Sequence, residues 1–208
     1  LVISGVMAWW FGSDMTKLAY LINFETGSHT ILGWVVMFAP LGLVLVMGGM
    51  VNKMSSTALL AVFLLFSCIM GISLSYIFLV YSMSAIANVF FITAAVFGVM
   101  AVAGYTTKTD LTKMGSILMI GLIGIIIASV VNMFLKSDTM SYLVSIIGVV
   151  VFTGLTAYDV QRLKTMGEQV ATGTESAKKM ALMGALSLYL NFINLFLMLL
   201  RLFGGNRN

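Results

Sequence analysis

Cysteine, histidine, proline and charge are all scarce in this 208-residue chain, and each scarcity removes a class of chemistry. The single cysteine, Cys68, lies inside an apolar run, so no intramolecular disulfide can form. The single histidine, His29, sits in a polar stretch and reads as a solvated loop residue. A zinc centre built from His and Cys would lack ligands. Charged residues are only 9% of the chain, where soluble domains carry about 25%. The net charge of +4 is dispersed, with no basic patch or stripe to hold a nucleic acid.

What is abundant is apolar surface. Apolar residues make up 61% of the chain, more than one soluble core of this length could hide. The solvent must therefore be lipid, and the expected fold class is all-α, a polytopic integral membrane protein forming one transmembrane domain over residues 1–208.

The chain divides into seven apolar spans. Residues 1–11 are too short to cross, because eleven residues cover ~16 Å of a ~30 Å hydrocarbon core. They read as the back half of a first helix truncated at its N-terminus. They are not a signal peptide, since they lack a charged n-region and a cleavage site. In the polar stretch 12–30, Met15, Leu18, Ala19 and Ile22 recur at helical spacing and predict a short interfacial helix.

The remaining spans are 31–51, 57–80, 84–103, 114–135, 139–158 and 180–203. Pro40, the only proline, falls mid-span in the second and should kink it. Residues 159–179 read as a long charged loop. Lys53, Lys108, Lys113, Arg162, Lys164, Lys178 and Lys179 fall on one side of the membrane, and Lys17, Lys136, Arg201 and Arg207 on the other. This bias places the N-terminus in the cytoplasm and the C-terminus outside. Small residues spaced by four mark close helix contacts at Ser67, Gly71 and Ser75, and at Gly124, Ala128 and Asn132.

Polar groups inside the membrane are costly, so they carry the functional signal. In the last span Gly184, Ser187, Asn191, Asn194, Met198 and Arg201 alternate three and four apart and share one helical face. In the sixth, Ser145, Gly148, Phe152, Thr156 and Asp159 do the same, and the stripe ends in an acid. Asp159 is either a helix-end acid meeting water and Arg162, or a buried group facing the last span. Asn191 alone would be an ordinary clasp between helices, but Ser187 and Asn194 beside it suggest a lined polar cavity. Arg201 reads as a snorkelling anchor.

Three stretches now stand out: GYTTKTDL at residues 104–111, GLTAYDVQRLK at 154–164 and GALSLYLNFINLFLMLLRLFG at 184–204. Together they resemble the transmembrane Bax inhibitor motif family, and most of all its YccA/YbhL-type bacterial inner-membrane members. The resemblance implies seven transmembrane helices with a central seventh. It implies a pH-sensitive calcium leak rather than an enzyme, with calcium as permeant ion, no resident cofactor and no firm metal site. It further implies a proton-sensing pair of aspartates on helices six and seven. The first of these matches Asp159; the second falls on Asn191, an amide that can donate to an ionised Asp159 but cannot share a proton as a second acid would. The ion path and sensor expected here comprise Asp159, Asn191, Asn194, Ser187, Thr156 and Arg162. The expected partners are the lipid bilayer, calcium ions and protons. An alternative role is to bind and restrain a membrane-anchored AAA protease, as some relatives do. An intramembrane hydrolase is disfavoured, because Asn191 removes the one candidate acid dyad.

Overall fold

A computed structural model describes residues 1–205 of the chain; Arg207 of the charge count lies outside the described residues. Among the described residues six helices are long and apolar enough to cross a membrane. The seventh expected crossing rests on α1 (Val2–Gly12), whose 11 residues reach only ~16 Å. Contacts gather the chain into two compact units, Leu1–Ser82 with Thr172–Met183, and Met83–Ala171 with Gly184–Gly205.

The first unit begins with α1, which packs on α4 (Ser56–Leu74). The contact is close because small residues line it. The Ser4 hydroxyl donates to the Ser67 carbonyl at 2.8 Å, and a Cβ on Gly71 would stand 2.7 Å from that of Met7. The Ser67, Gly71 and Ser75 face therefore meets protein, as their spacing indicates, and all three are buried.

Between α1 and α3 (Ile31–Met50) the expected interfacial helix shrinks to one turn, α2 (Met15–Leu18), capped by Asp14. Ile22 is not helical: it starts β1 (Ile22–Asn23), which pairs antiparallel with β2 (Ser28–His29). Gly27, at φ +65°, turns the chain between them, a conformation that costs glycine nothing. His29 is exposed and stands edge-on to Trp34, so the loop reading of this residue holds. Pro40 does not end α3, whose assigned helix runs unbroken through it. The third span is interrupted at Ser75, where the hydroxyl bonds to the Ile72 carbonyl at 2.6 Å before α5 (Ile77–Val80) resumes.

The second unit holds α6 (Met83–Thr106), α7 (Thr112–Leu135), α8 (Asp138–Gln169) and, from Gly184 onward, α9 (Glu175–Phe203). Here the expected 159–179 loop is overturned. α8 runs 11 residues past Tyr158, and only residues 170–174 separate it from α9. At ~1.5 Å per residue, 32 residues span ~48 Å, well beyond a ~30 Å core. The charged residues ride on a helix that leaves the apolar layer. Half of the apolar window of α9 is buried, against 6% for α7, so α9 is the inward helix and α7 the outward one.

The expected contact face at Gly124, Ala128 and Asn132 is overturned at Gly124. Gly124 is exposed, with open space where a Cβ would lie, and α7 instead meets α8 through Gly115, Gly121 and Ile125. Gly115 makes room for the Tyr158 ring and Gly121 approaches Val151. Asn132 does meet a helix, at the α7–α8 corner, accepting from Ser137 N–H at 3.0 Å and donating to Ser141 Oγ of α8 at 2.7 Å.

Candidate functional site

The α8 stripe is buried throughout: Ser145, Gly148, Phe152, Thr156 and Asp159 all face protein. Asp159 is 8% exposed, low enough that its carboxylate depends on protein donors rather than bulk water. Two donors reach it, both from α9. Ser187 Oγ–H and Asn191 Nδ2–H each approach the same oxygen, Oδ2, at 2.7 Å. Asn191 is itself buried.

This arrangement is possible because the helices close together beside it. Gly184, one turn before Ser187, leaves the space that the Leu163 side chain fills; a Cβ would collide with Leu163 Cδ2. At the other end of the seam, Gly148 leaves room for Met198, whose Sδ would lie 2.9 Å from a Cβ there. Phe192 and Phe196 of α9 meet Phe90 of α6 edge-on, with centroids 5.5 and 6.3 Å apart, which fixes the opposite face of α9.

The other residues expected at the site stand apart from this cluster. Thr156 is fully buried, but its hydroxyl donates to the Phe152 carbonyl of its own helix at 2.7 Å. Asn194 is half-buried and donates to the Leu190 carbonyl, also within its helix. Arg162 is exposed and forms no ion pair among the described residues. Asp159 is thus not a helix-end acid resting on Arg162. Its compensation is two neutral donors from the next helix.

Arg162 instead borders an open cleft of about 640 Å³, between the 107–111 connection and the end of α8. Gln161 holds that connection at both edges: its Oε1 accepts from Leu111 N–H and its Nε2 donates to the Thr109 carbonyl, each at 2.8 Å. Lys164 Nζ donates to the Tyr105 carbonyl at 3.0 Å and lies 4.5 Å from the Tyr105 ring centre. Gly104 touches the Ala157 backbone, where a Cβ would collide with the carbonyl oxygen. The GYTTKTDL stretch is therefore built to seat on GLTAYDVQRLK, a structural role for Gln161, Lys164 and Gly104. Only their place inside the motif stretches hinted at it. Outside the membrane-spanning segments, Asp110 is held below the usual carboxylate range, first by the Thr112 hydroxyl and then by its backbone N–H. Among the described residues no three acid, histidine or cysteine side chains gather into a metal cage.

With this geometry in place, comparison with known proteins decides the lineage. A family model described as "Inhibitor of apoptosis-promoting Bax1" matches residues 1–208. The chain belongs to the Bax inhibitor family. Among its relatives is the Escherichia coli K12 inner membrane protein YbhL, 45% identical over 208 residues, covering 100% of this chain and 87% of that protein. A Borreliella burgdorferi protein is 47% identical over 208 residues, 100% of this chain and 88% of its own. A Rickettsia prowazekii protein, RP147, is 45% identical, with 100% and 85% covered. The resemblance carried by the three motifs is therefore a true membership, and this family member is an all-α polytopic membrane protein.

Proposed function

We infer that this chain is a calcium leak pathway of the bacterial inner membrane, controlled by the proton occupancy of Asp159 and involving no catalytic step. The observation that carries this reading is the buried acid of α8, bound through one oxygen by Ser187 and Asn191 of α9. Ionisable groups within transmembrane helices are costly and characteristically mark ion or proton paths. A second α8 group is the Thr153 hydroxyl, which is buried with no hydrogen-bond partner among the described residues, a cost that water or a passing ion would relieve. Calcium as the ion, and the cytoplasmic N-terminus, rest on the family resemblance and the Lys/Arg distribution. One carboxylate with amide and hydroxyl oxygens is a poor cage for an ion that wants six to eight oxygens, which suits transient passage over storage.

The test is calcium flux into liposomes holding the purified chain, measured across pH, for the parent and Asp159→Asn. Flux that responds to pH in the parent and loses that response in the variant is expected. An unchanged titration would remove Asp159 from the mechanism. No flux at any pH from folded protein would overturn the leak reading; co-purification with a membrane-anchored AAA protease would then support a regulator instead.

A further inference from the structure

The second unit has another polar pocket, at the opposite end of α8 and α9 from Asp159. It holds about 290 Å³ and is lined by Ser129, Asn132 and Met133 of α7, Ser141 and Val144 of α8, and Met198 and Arg201 of α9. Its donors are pre-positioned and unspent. Asn132 Nδ2 donates to Ser141 Oγ at 2.7 Å, so the Ser141 hydroxyl accepts there and keeps its own proton for a ligand. Asn132 Oδ1 is occupied by Ser137 N–H, which locks the amide and with it the Ser141 oxygen. Arg201, in the last turn of α9, has no ion-pair or hydrogen-bond partner among the described residues. Nor has the Ser129 hydroxyl. A guanidinium and two hydroxyl side chains lining one pocket, with no acid in that lining, match a tetrahedral oxyanion.

We propose that this pocket binds the phosphodiester headgroup of a membrane lipid, with Arg201 as the charged ligand and Ser141 and Ser129 as supporting donors. Lipid is favoured over a free anion by what surrounds the polar lining. Met133, 61% exposed, gives the pocket an apolar edge, and α7 continues from it as an exposed apolar face at Ile126, Val130 and Phe134, the last 77% exposed. Acyl chains would lie along that face while the headgroup sits in the pocket. Tyr142, 57% exposed at the same level, is an interfacial aromatic of the kind that marks headgroup depth. Arg201 thus does more than snorkel, because a built pocket receives the group it reaches for.

The test uses the full chain, purified in a neutral detergent and stripped of lipid. Phosphatidylglycerol, diacylglycerol with the same acyl chains, and inorganic phosphate are titrated separately and bound adducts counted by native mass spectrometry. One retained phosphatidylglycerol, with no diacylglycerol adduct, is expected. Arg201→Gln should weaken it at least about tenfold, the scale of a lost bond between charged groups. Lys136→Gln, which removes a cation outside the pocket lining, should leave it unchanged. Arg201 is exposed, so its replacement should not unfold the chain, and far-UV circular dichroism checks this. Equal retention by the parent and Arg201→Gln overturns the site, as does equal binding of diacylglycerol. Binding of inorganic phosphate without phosphatidylglycerol overturns the lipid assignment. These outcomes do not depend on whether the chain passes calcium.

Discussion

Replacing Asn191 with Leu tests whether the α8–α9 seam is held by a charged bond or by an ordinary polar clasp. Leu branches at Cγ as Asn does and is larger, so the change removes the donor at 2.7 Å without opening a cavity, and any cost of its extra bulk cancels in the double-mutant comparison below. Polar contacts between transmembrane helices average ~0.6 kcal/mol and reach ~1.7 at most. A hydrogen bond to an ionised group is worth ~1.5–3 kcal/mol, and Asp159 would be left buried with Ser187 alone. The variant should therefore lose ~1.5–3 kcal/mol, a drop of several degrees in the melting temperature at ~2–4 °C per kcal/mol. The same replacement in an Asp159→Asn background removes only a neutral bond and should cost ~1 kcal/mol or less. Thermal unfolding in detergent, followed by far-UV circular dichroism for the parent, both single variants and the double, closes the cycle. Costs that add within ~0.5 kcal/mol would refute the coupling, and with it the reading of Asp159 as a charge held by α9.

Asn191→Asp would set two carboxylates at the present amide–carboxylate spacing of 2.7 Å, where ionising both costs ~6 kcal/mol at an effective dielectric of 20. Such a pair holds one proton between its members, so calcium flux in liposomes should depend more steeply on pH than in the parent, and superimposable curves would refute the pairing. Gly104→Ala forces a methyl into the Ala157 backbone and should destabilise by ~1–3 kcal/mol, whereas Gly124→Ala, which meets open space, should stay within ~0.5 kcal/mol; thermal unfolding of both checks the contrast. Asp110 is held below the ordinary carboxylate value of 3.8 by Thr112, so its contribution is fully present above that pH and is lost as pH falls through its lower native value. Asp110→Ala should therefore speed amide exchange at residues 111–115 near neutral pH and converge with the parent in strong acid.

The membrane spans were legible in the sequence because lipid demands long apolar runs, and the runs ending at Val51, Leu135 and Phe203 end within a residue of their helices. The extension of α8 beyond Tyr158 was not. Residues 159–169 look like a solvated loop by charge, yet nothing in Gln161, Leu163, Lys164 or Met166 breaks a helix, and polarity alone does not end one. The two-residue strands were hidden because a run so short has no period to detect. At Gly124 the small-residue repeat misled, since α7 is apolar on every side and lipid can occupy any face that protein does not. The site was half legible. Ser187 and Asn191 lie on one stripe by spacing alone, and that α8 presents Asp159 to them followed from the matching stripe and the family motif. Thr156 and Asn194 share those stripes, but spacing cannot tell a polar group that crosses to a neighbour from one that bonds the carbonyl one turn back, as both of these do.

That Arg162 stays outside the cluster bears on how the proposed leak would respond to pH. Asp159 is instead held by two neutral donors, both on α9, so its charge state bears directly on how tightly α8 and α9 adhere. Protonation weakens those bonds but does not reverse them, because a neutral carboxyl can still accept from Ser187 and exchange hydrogen bonds with the Asn191 amide. With an acid at position 191, loss of the shared proton would turn attraction into repulsion. The amide therefore converts a contact that changes sign with pH into one that only changes strength. A leak built on it should be graded, open to some extent at every pH and modulated over a narrow range, where a pair of acids would give a gate that closes.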